Sequence, residues 1–233
     1  MKLAQILFSQ GFGTRRECHA LVLSERVQID GAVQADPDLE IVPQGLRFLV
    51  RGEAWSYRQP ALLVMNKPAG YECSQKPRHY PSVMSLLPTP LRVRGVQPVG
   101  RLDADTTGLL LFTDDGALVH RLSSAKKHVP KVYEIETVDP LGEAQIAALR
   151  CGVVLHDAPL PIRAAACERT GLQALRMTLL EGKYHQVKRM VAAVGNRVRR
   201  LHRSRYGILT LPAELAPGQW RWLDSQAAVL APD

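Results

Sequence analysis

Leu3, Ile6 and Leu7 put three apolar side chains on one face of a short helix, which Gly11 ends. Thr14-Arg-Arg-Glu17 has the spacing of a capping box and opens a second helix running through Leu23. The period then changes to two. Val27 and Ile29 share one face of a strand, Asp30-Gly31 is a two-residue hairpin signal, and Leu46, Phe48 and Val50 alternate again. Arg51 to Pro60 is polar and without period, which places a linker at 51–60 between a unit at 1–50 and a larger one at 61–233.

Leu62 to Met65 reads as a buried strand, stopped by the turn-forming Asn66-Lys-Pro-Ala-Gly70. A Pro-rich loop region from Lys76 to Pro90 surrounds a short apolar piece, Val83 to Leu87. Further strands are predicted at Leu109–Phe112, Val132–Val138, Leu175–Leu179, Leu209–Leu211 and Trp220–Leu223. Helices are predicted at Gly116–Leu122, Gly142–Leu149 and Tyr184–Val194. In the last of these Val187, Met190, Val191 and Val194 keep the helical spacing and Gly195 follows. Strands outnumber helices without strict alternation. The expected class is therefore α+β: a small N-terminal α/β module, then a mixed, largely antiparallel sheet with flanking helices.

Charge adds a partner to this picture. Lys+Arg outnumber Asp+Glu by 30 to 22, and the excess is concentrated. Between Lys183 and Arg205 stand Lys183, Lys188, Arg189, Arg197, Arg199, Arg200, Arg203 and Arg205, with no acid before Glu214. A block of one sign repels itself unless phosphates neutralise it, so the expected partner is nucleic acid. Arg15 and Arg16 fall in the first turn of a helix, where the macrodipole disfavours cations. Either solvent screens that cost or a phosphate lies across the helix start.

No apolar run is long enough to span a bilayer and the start lacks the apolar core of a signal peptide, so a cytoplasmic chain without membrane contact is expected. Cys18, Cys73, Cys151 and Cys167 are scattered and read as reduced thiols. No metal-ligand spacing, phosphate-binding loop or dinucleotide fingerprint is present, so neither metal nor cofactor is expected.

Candidate chemistry centres on Asp103 and Asp105, two apart in a polar loop before the run Leu109–Phe112. A carboxylate at the mouth of a buried strand can act as nucleophile or base, or simply satisfy amides of its own turn. Spacing alone favours the turn aspartate. A hydrolase using both acids is disfavoured, because carboxylates two apart on one loop rarely bracket a scissile bond.

Three separated segments change the balance. Gly100-Arg-Leu-Asp-Ala-Asp-Thr-Thr-Gly-Leu-Leu-Leu111 resembles the catalytic motif of the pseudouridine synthases. Lys131-Val-Tyr133 resembles their second motif, and Leu180-Glu-Gly-Lys-Tyr-His-Gln-Val-Lys-Arg-Met190 their third. With Leu62-Leu-Val-Met-Asn-Lys-Pro-Ala-Gly70 the resemblance extends over nearly all of residues 60–211. Residues 1–48, through Gly-Phe-Gly-Thr-Arg-Arg-Glu17 and Glu25-Arg-Val-Gln-Ile-Asp-Gly31, resemble the alpha-L RNA-binding module, with Asp30-Gly31 where such modules often carry Asn-Gly.

The resemblance implies conversion of a uridine to pseudouridine in ribosomal RNA. The bond between the uracil ring nitrogen and ribose breaks, the base turns, and ring carbon 5 rejoins the sugar. Asp103 matches the required aspartate, which adds to base or sugar or stabilises positive charge at the sugar carbon. Tyr133 matches the active-site tyrosine. Lys188 stands where a basic residue pairs with the aspartate, many members carrying arginine there. Arg101 matches the arginine that holds the stack vacated by a flipped base.

Asp105 and Thr106 are expected to shape the loop by local hydrogen bonds. Arg15, Arg16, Arg26, Lys67, Lys183 and Arg189 are the candidate RNA contacts. The Tyr71-Glu-Cys-Ser74 continuation is most similar to members acting on small-subunit (16S) RNA, although large-subunit (23S) enzymes share both units and all three motifs. The expected substrate is RNA within a partly assembled small subunit, acted on by a monomer. The reading from another class is a non-catalytic RNA-binding or ribosome assembly factor, against which the trio Asp103, Tyr133 and Lys188 argues.

Overall fold

A computed structural model describes residues 1–156, 158 and 160–230. The chain divides into two compact units, Met1–Ala61 with Leu87–Gln97, and Leu62–Leu86 with Pro98–Asp233.

In the first unit, helices α1 (Leu3–Ser9) and α2 (Arg15–Leu23) follow the apolar spacing. The capping box of α2 is formed in both directions, Thr14 Oγ1 accepting from the Glu17 amide and Glu17 Oε2 from the Thr14 amide. Strands β1 (Val27–Ile29), β2 (Ala32–Gln34), β3 (Arg47–Val50) and β4 (Glu53–Ser56) form an antiparallel sheet in the order β2-β1-β3-β4. The β1–β2 turn is Asp30-Gly31, both at positive φ (50° and 80°), as a tight hairpin twisted with its strands requires.

The segment read as a linker is thus partly a strand. Arg51-Gly52 makes a second two-residue turn with positive φ (53° and 83°), and β4 pairs with β3 from Val50↔Glu53 to Arg47↔Ser56. Its alternation escaped notice because Trp55 is its only large apolar residue. That ring meets Phe12 edge-on at 5.3 Å, over a core of Leu3, Ile6, Leu7, Val22, Val27 and Phe48. Residues 87–97 return to this unit and contain α3 (Thr89–Val93), a return that a single cut in the chain does not anticipate. Gln10 is the tie, its Oε1 accepting from the Arg58 amide (3.1 Å) and from Arg94 Nη1 (3.0 Å).

The second unit contains β5 (Leu62–Lys67), then, after the two-residue β6 (Gln97–Pro98), β7 (Thr107–Thr113), α4 (Gly116–Ser123), β8 (Lys131–Thr137) and α5 (Glu143–Cys151). Next come β9 (Ala166–Gly171), β10 (Ala174–Leu179), α6 (Gln186–Ala193), β11 (Val198–Tyr206), β12 (Leu209–Thr210) and β13 (Trp220–Trp222). The sheet runs β13-β5-β7-β11-β8-β10-β9, with β12 on β11. Only β7 and β11 pair in parallel on that path. The mixed α+β architecture agrees with the apolar patterning.

Leu109 to Phe112 are wholly buried, as a continuous apolar run at the centre of a sheet should be. At the β7–β11 crossing Gly108 (φ +104°) leaves no room for a side chain. A Cβ there would stand 2.4 Å from the Arg203 carbonyl oxygen.

Two expectations are corrected here. The basic block, read as a run that phosphates neutralise, is partly built into the sheet: Val198 to Tyr206 is the long inner strand β11, not predicted as a strand because four of its nine residues are arginine. Arg203 is buried, donating from Nε to the Leu109 carbonyl (2.8 Å) with its guanidinium carbon 5.0 Å from the Tyr206 ring centroid. Acids from distant segments also enter the block, Glu136 reaching Arg200 at 3.6 Å. Helix α6, for its part, begins at Gln186 rather than Tyr184, because His185 is left-handed (φ 48°). All four cysteines are free thiols.

Candidate active site

The loop leading into β7 is held from beneath. Leu102 is buried and its amide donates to Cys73 Sγ (3.4 Å), while the Thr106 amide closes the turn onto the Asp103 carbonyl (3.1 Å). Lys67, at the end of β5, is fully buried. Its ammonium donates to the carbonyls of Pro68 (2.9 Å), Asp103 (3.1 Å), Ala104 (3.2 Å) and Thr106 (2.9 Å). The expectation that Lys67 contacts RNA is therefore corrected. It is a staple under the Asp103 loop, with every donor turned inward. Burial holds its ammonium below the ordinary lysine range, against the pull of Cys73, Asp105 and Asp103.

Above the staple the Asp103 carboxylate, 31% exposed, meets the segment that leads into α6. Oδ2 lies 3.1 Å from Lys188 Nζ and Oδ1 lies 3.3 Å from His185 Nε2. Lys188 also binds both oxygens of Asp105, at 2.6 and 2.9 Å. Burial alone would lower the Lys188 ammonium, but the hydrogen bonds to Asp105 and Asp103 outweigh it and hold it above the usual value. For Asp105, too, desolvation is outweighed by Lys188, and its carboxyl sits below the usual range. Asp105, expected to serve its own loop, instead spans to α6. Thr106 keeps its hydroxyl buried without a hydrogen-bond partner.

The left-handed His185 turns the chain so that Lys188, one turn into α6, faces the loop. Within that segment Gln186 donates from Nε2 to Glu181 Oε1 (3.1 Å) and accepts from the Lys183 amide (2.8 Å). Tyr133 is nearly buried in β8, paired with Met177 of β10 and Arg203 of β11. It lines one small recess together with Arg101, Asp103, Lys183 and Lys188. Five of the residues singled out in the sequence thus converge. Arg189 folds back onto the Tyr184 carbonyl (3.1 Å). Arg15, Arg16 and Arg26 are exposed in the first unit, Arg15 lying 4.6 Å over the Phe8 ring. Sequence reasoning missed His185, whose only signal was its position inside the third motif. Among the described residues no cluster of ligating side chains could hold a metal.

A partly shielded carboxylate flanked by an ammonium and an imidazole, with an aromatic ring in the same recess, suits attack on, or charge stabilisation at, an electron-poor carbon. Asp105, bound by Lys188 on both oxygens, is not free to act as a second acid or base across a scissile bond. Fold and site together set one partly shielded carboxylate in a recess of the second unit.

The chain belongs to the RNA pseudouridylate synthase family, whose sequence profile matches residues 61–193. It is an RNA pseudouridine synthase. It is 39% identical to ribosomal small subunit pseudouridine synthase A of Yersinia pestis, across 100% of this chain and 99% of that protein. It is 40% identical to the uncharacterized RNA pseudouridine synthase YtzG of Bacillus subtilis, across 97% of this chain and 96% of the relative. A crystal structure of pseudouridylate synthase matches with a TM-score of 0.69 and 32% identity, covering 98% of both chains.

Proposed function

We propose that this enzyme converts one uridine of small-subunit ribosomal RNA to pseudouridine, with Asp103 as the catalytic carboxylate. The observation that carries the catalytic assignment is the placement of Asp103 between Lys188 and His185 at the mouth of the recess lined by Tyr133. Asp103 acts on the base or the sugar carbon while the glycosidic bond opens. The freed uracil turns against the Tyr133 ring, carbon 5 bonds to the sugar, carbon 5 gives up its proton and the former glycosidic nitrogen takes one. Lys188 stabilises the carboxylate. Arg101, exposed at the rim of the recess, occupies the stack the uridine leaves.

The choice of the small subunit is supported by full-length relatives named for it at 35–39% identity. The first 50 residues serve as the RNA-binding module, through Arg15, Arg16 and Arg26. Lys183 and Arg189 contact the RNA backbone beside the recess. The enzyme works in the cytoplasm, as a monomer, on a partly assembled subunit.

The test is a map of pseudouridine in ribosomal RNA from cells lacking the gene, complemented with wild type or Asp103→Asn. One small-subunit site disappears on deletion and returns only with wild type. Loss of a large-subunit site instead overturns the substrate assignment, and full restoration by Asp103→Asn overturns the catalytic one.

A further inference from the structure

Beside the recess that holds the Asp103 carboxylate lies an open depression of about 630 Å³, a volume typical of sites that take a whole small molecule. Its lining includes Tyr80, Tyr184, His185, Arg78 and Arg101, and it shares Asp103 with the recess. Two features are out of keeping with an idle surface. Tyr80 and Tyr184 are 52% and 67% exposed, although both rings are large and apolar. The Tyr184 ring is also stacked on the His185 imidazole, centroids 3.8 Å apart and planes 18° from parallel, and that imidazole touches Asp103. An aromatic column therefore rises from the candidate reacting carboxylate, through His185, to Tyr184. The exposure of Tyr184 leaves the column open to a further ring.

The acids that line the depression are engaged by the protein, Asp103 and Asp105 by Lys188 and Glu72 by backbone amides. The Glu72 carboxylate accepts the amides of Arg78 (3.0 Å), His79 (2.8 Å) and Tyr80 (3.0 Å). These bonds, led by that from His79, hold its carboxyl below the usual range and fix the turn that carries Tyr80. The side chains of Arg78 and Arg101 remain exposed.

We propose that this depression binds a nucleotide next to the target uridine, its base stacked on Tyr184 and its phosphate facing Arg78. Extruding a uridine breaks stacking on both of its neighbours, and a π-face beside the recess replaces what one neighbour loses. Stacking tolerates any base, so the site contributes affinity and orientation without dictating sequence. Tyr80 supplies a second aromatic face on the same depression.

The inference rests on the placement of the uridine at Asp103. Turnover of the intact RNA by wild type and its loss in Asp103→Asn test that placement separately. The substrate is the ribosomal RNA fragment carrying the uridine lost on deletion of the gene, made with an abasic ribose immediately 5′ or immediately 3′ of that uridine.

On one side the abasic change lowers the wild-type kcat/KM about tenfold. Tyr184→Ala loses a similar factor on intact RNA and shows no further loss on the abasic RNA. Tyr184→Phe, which keeps the ring, behaves as wild type. An unchanged kcat/KM with both abasic RNAs overturns the inference, as does a Tyr184→Ala loss that multiplies with the abasic loss. A Tyr184→Ala defect seen only on assembled subunits, with normal turnover of naked RNA, also overturns it and assigns the surface to a ribosomal protein. Because Tyr184 is exposed, its substitution leaves the fold intact, and circular dichroism with thermal melting checks this for each variant.

Discussion

Replacing Lys67 by methionine removes the staple under the Asp103 loop without opening a hole, since the unbranched thioether fills nearly the same volume. Of the four carbonyls that lose a donor, those of Asp103 and Ala104 keep one from the amides of Thr106 and Gly70. The carbonyls of Pro68 and Thr106 lose theirs. At about 1–3 kcal/mol for each polar group left unsatisfied, the gross loss is roughly 2–6 kcal/mol. Methionine no longer carries a buried charge, which returns part of that cost, so a net loss of about 2–3 kcal/mol is expected. The loop also loses the contacts that set where Asp103 meets Lys188. Misplacement of a reacting group by an ångström costs on the order of 100-fold in rate, and kcat should fall by that order with KM nearly unchanged. Urea denaturation and single-turnover kinetics on the target RNA fragment measure the two quantities. A Lys67→Met enzyme with wild-type stability and wild-type kcat would refute the staple. A variant with normal kcat but raised KM would return Lys67 to the RNA surface.

The two loop aspartates should separate sharply: Asp103→Asn abolishes turnover, whereas Asp105→Asn lowers kcat less than about tenfold, because an exposed ion pair contributes little and Lys188 keeps Asp103. Equal losses in single-turnover assays would contradict the assignment. Burial, then Arg203, lowers the Lys131 ammonium to about 8, so between that pH and about 10.5 the unfolded chain binds the more protons and stability rises with pH. From pH 7.5 to 10 the stability of wild type minus that of Lys131→Met should move toward wild type by about 2–3 kcal/mol, and a flat difference in urea titrations rejects it. Arg15→Glu with Arg16→Glu should weaken RNA binding and reduce the salt slope by about 1–2 while leaving single-turnover rates at saturation unchanged. Affinity insensitive to the reversal in filter binding removes these arginines from recognition.

The elements that short-range rules describe were legible in the sequence. The capping box at Thr14, the Asp30-Gly31 hairpin and the apolar run Leu109–Phe112 each follow from a few adjacent side chains, and each formed where those side chains placed it. What escaped depends on distant partners. A strand with four arginines is allowed at the centre of a sheet because Arg203 finds the Leu109 carbonyl, which residues 198–206 do not reveal, beside the Tyr206 ring of its own strand. Edge strand β9, largely exposed, carries too few apolar residues to announce itself. The start of α6 moved because the backbone at His185 turns left-handed, a conformation its residue type does not declare.

The same distinction runs through the site. Asp103, Tyr133 and Lys188 could be named because each sits in a motif, yet motifs list residues without saying which way they face. Lys67 also lies within a matching segment, Leu62 to Gly70, and carries the charge an RNA contact needs, but β5 delivers it beneath the loop, where carbonyls take its ammonium. Lys188 lies in a run of cations that suggested phosphate, while its motif set it against Asp103; the structure shows that pairing and adds Asp105, 83 residues away in sequence, which no motif named. Charge in the sequence thus shows that anions must be met, and topology decides whether those anions belong to the substrate or to the protein. Around Asp103 the nearest cations, Lys67 and Lys188, are engaged by the protein's own carbonyls and carboxylates. The proposed recognition of RNA at the recess accordingly draws on the exposed rim, on Arg101 and Arg78, and on the aromatic column that ends in Tyr184, together with Lys183 and Arg189 beside it.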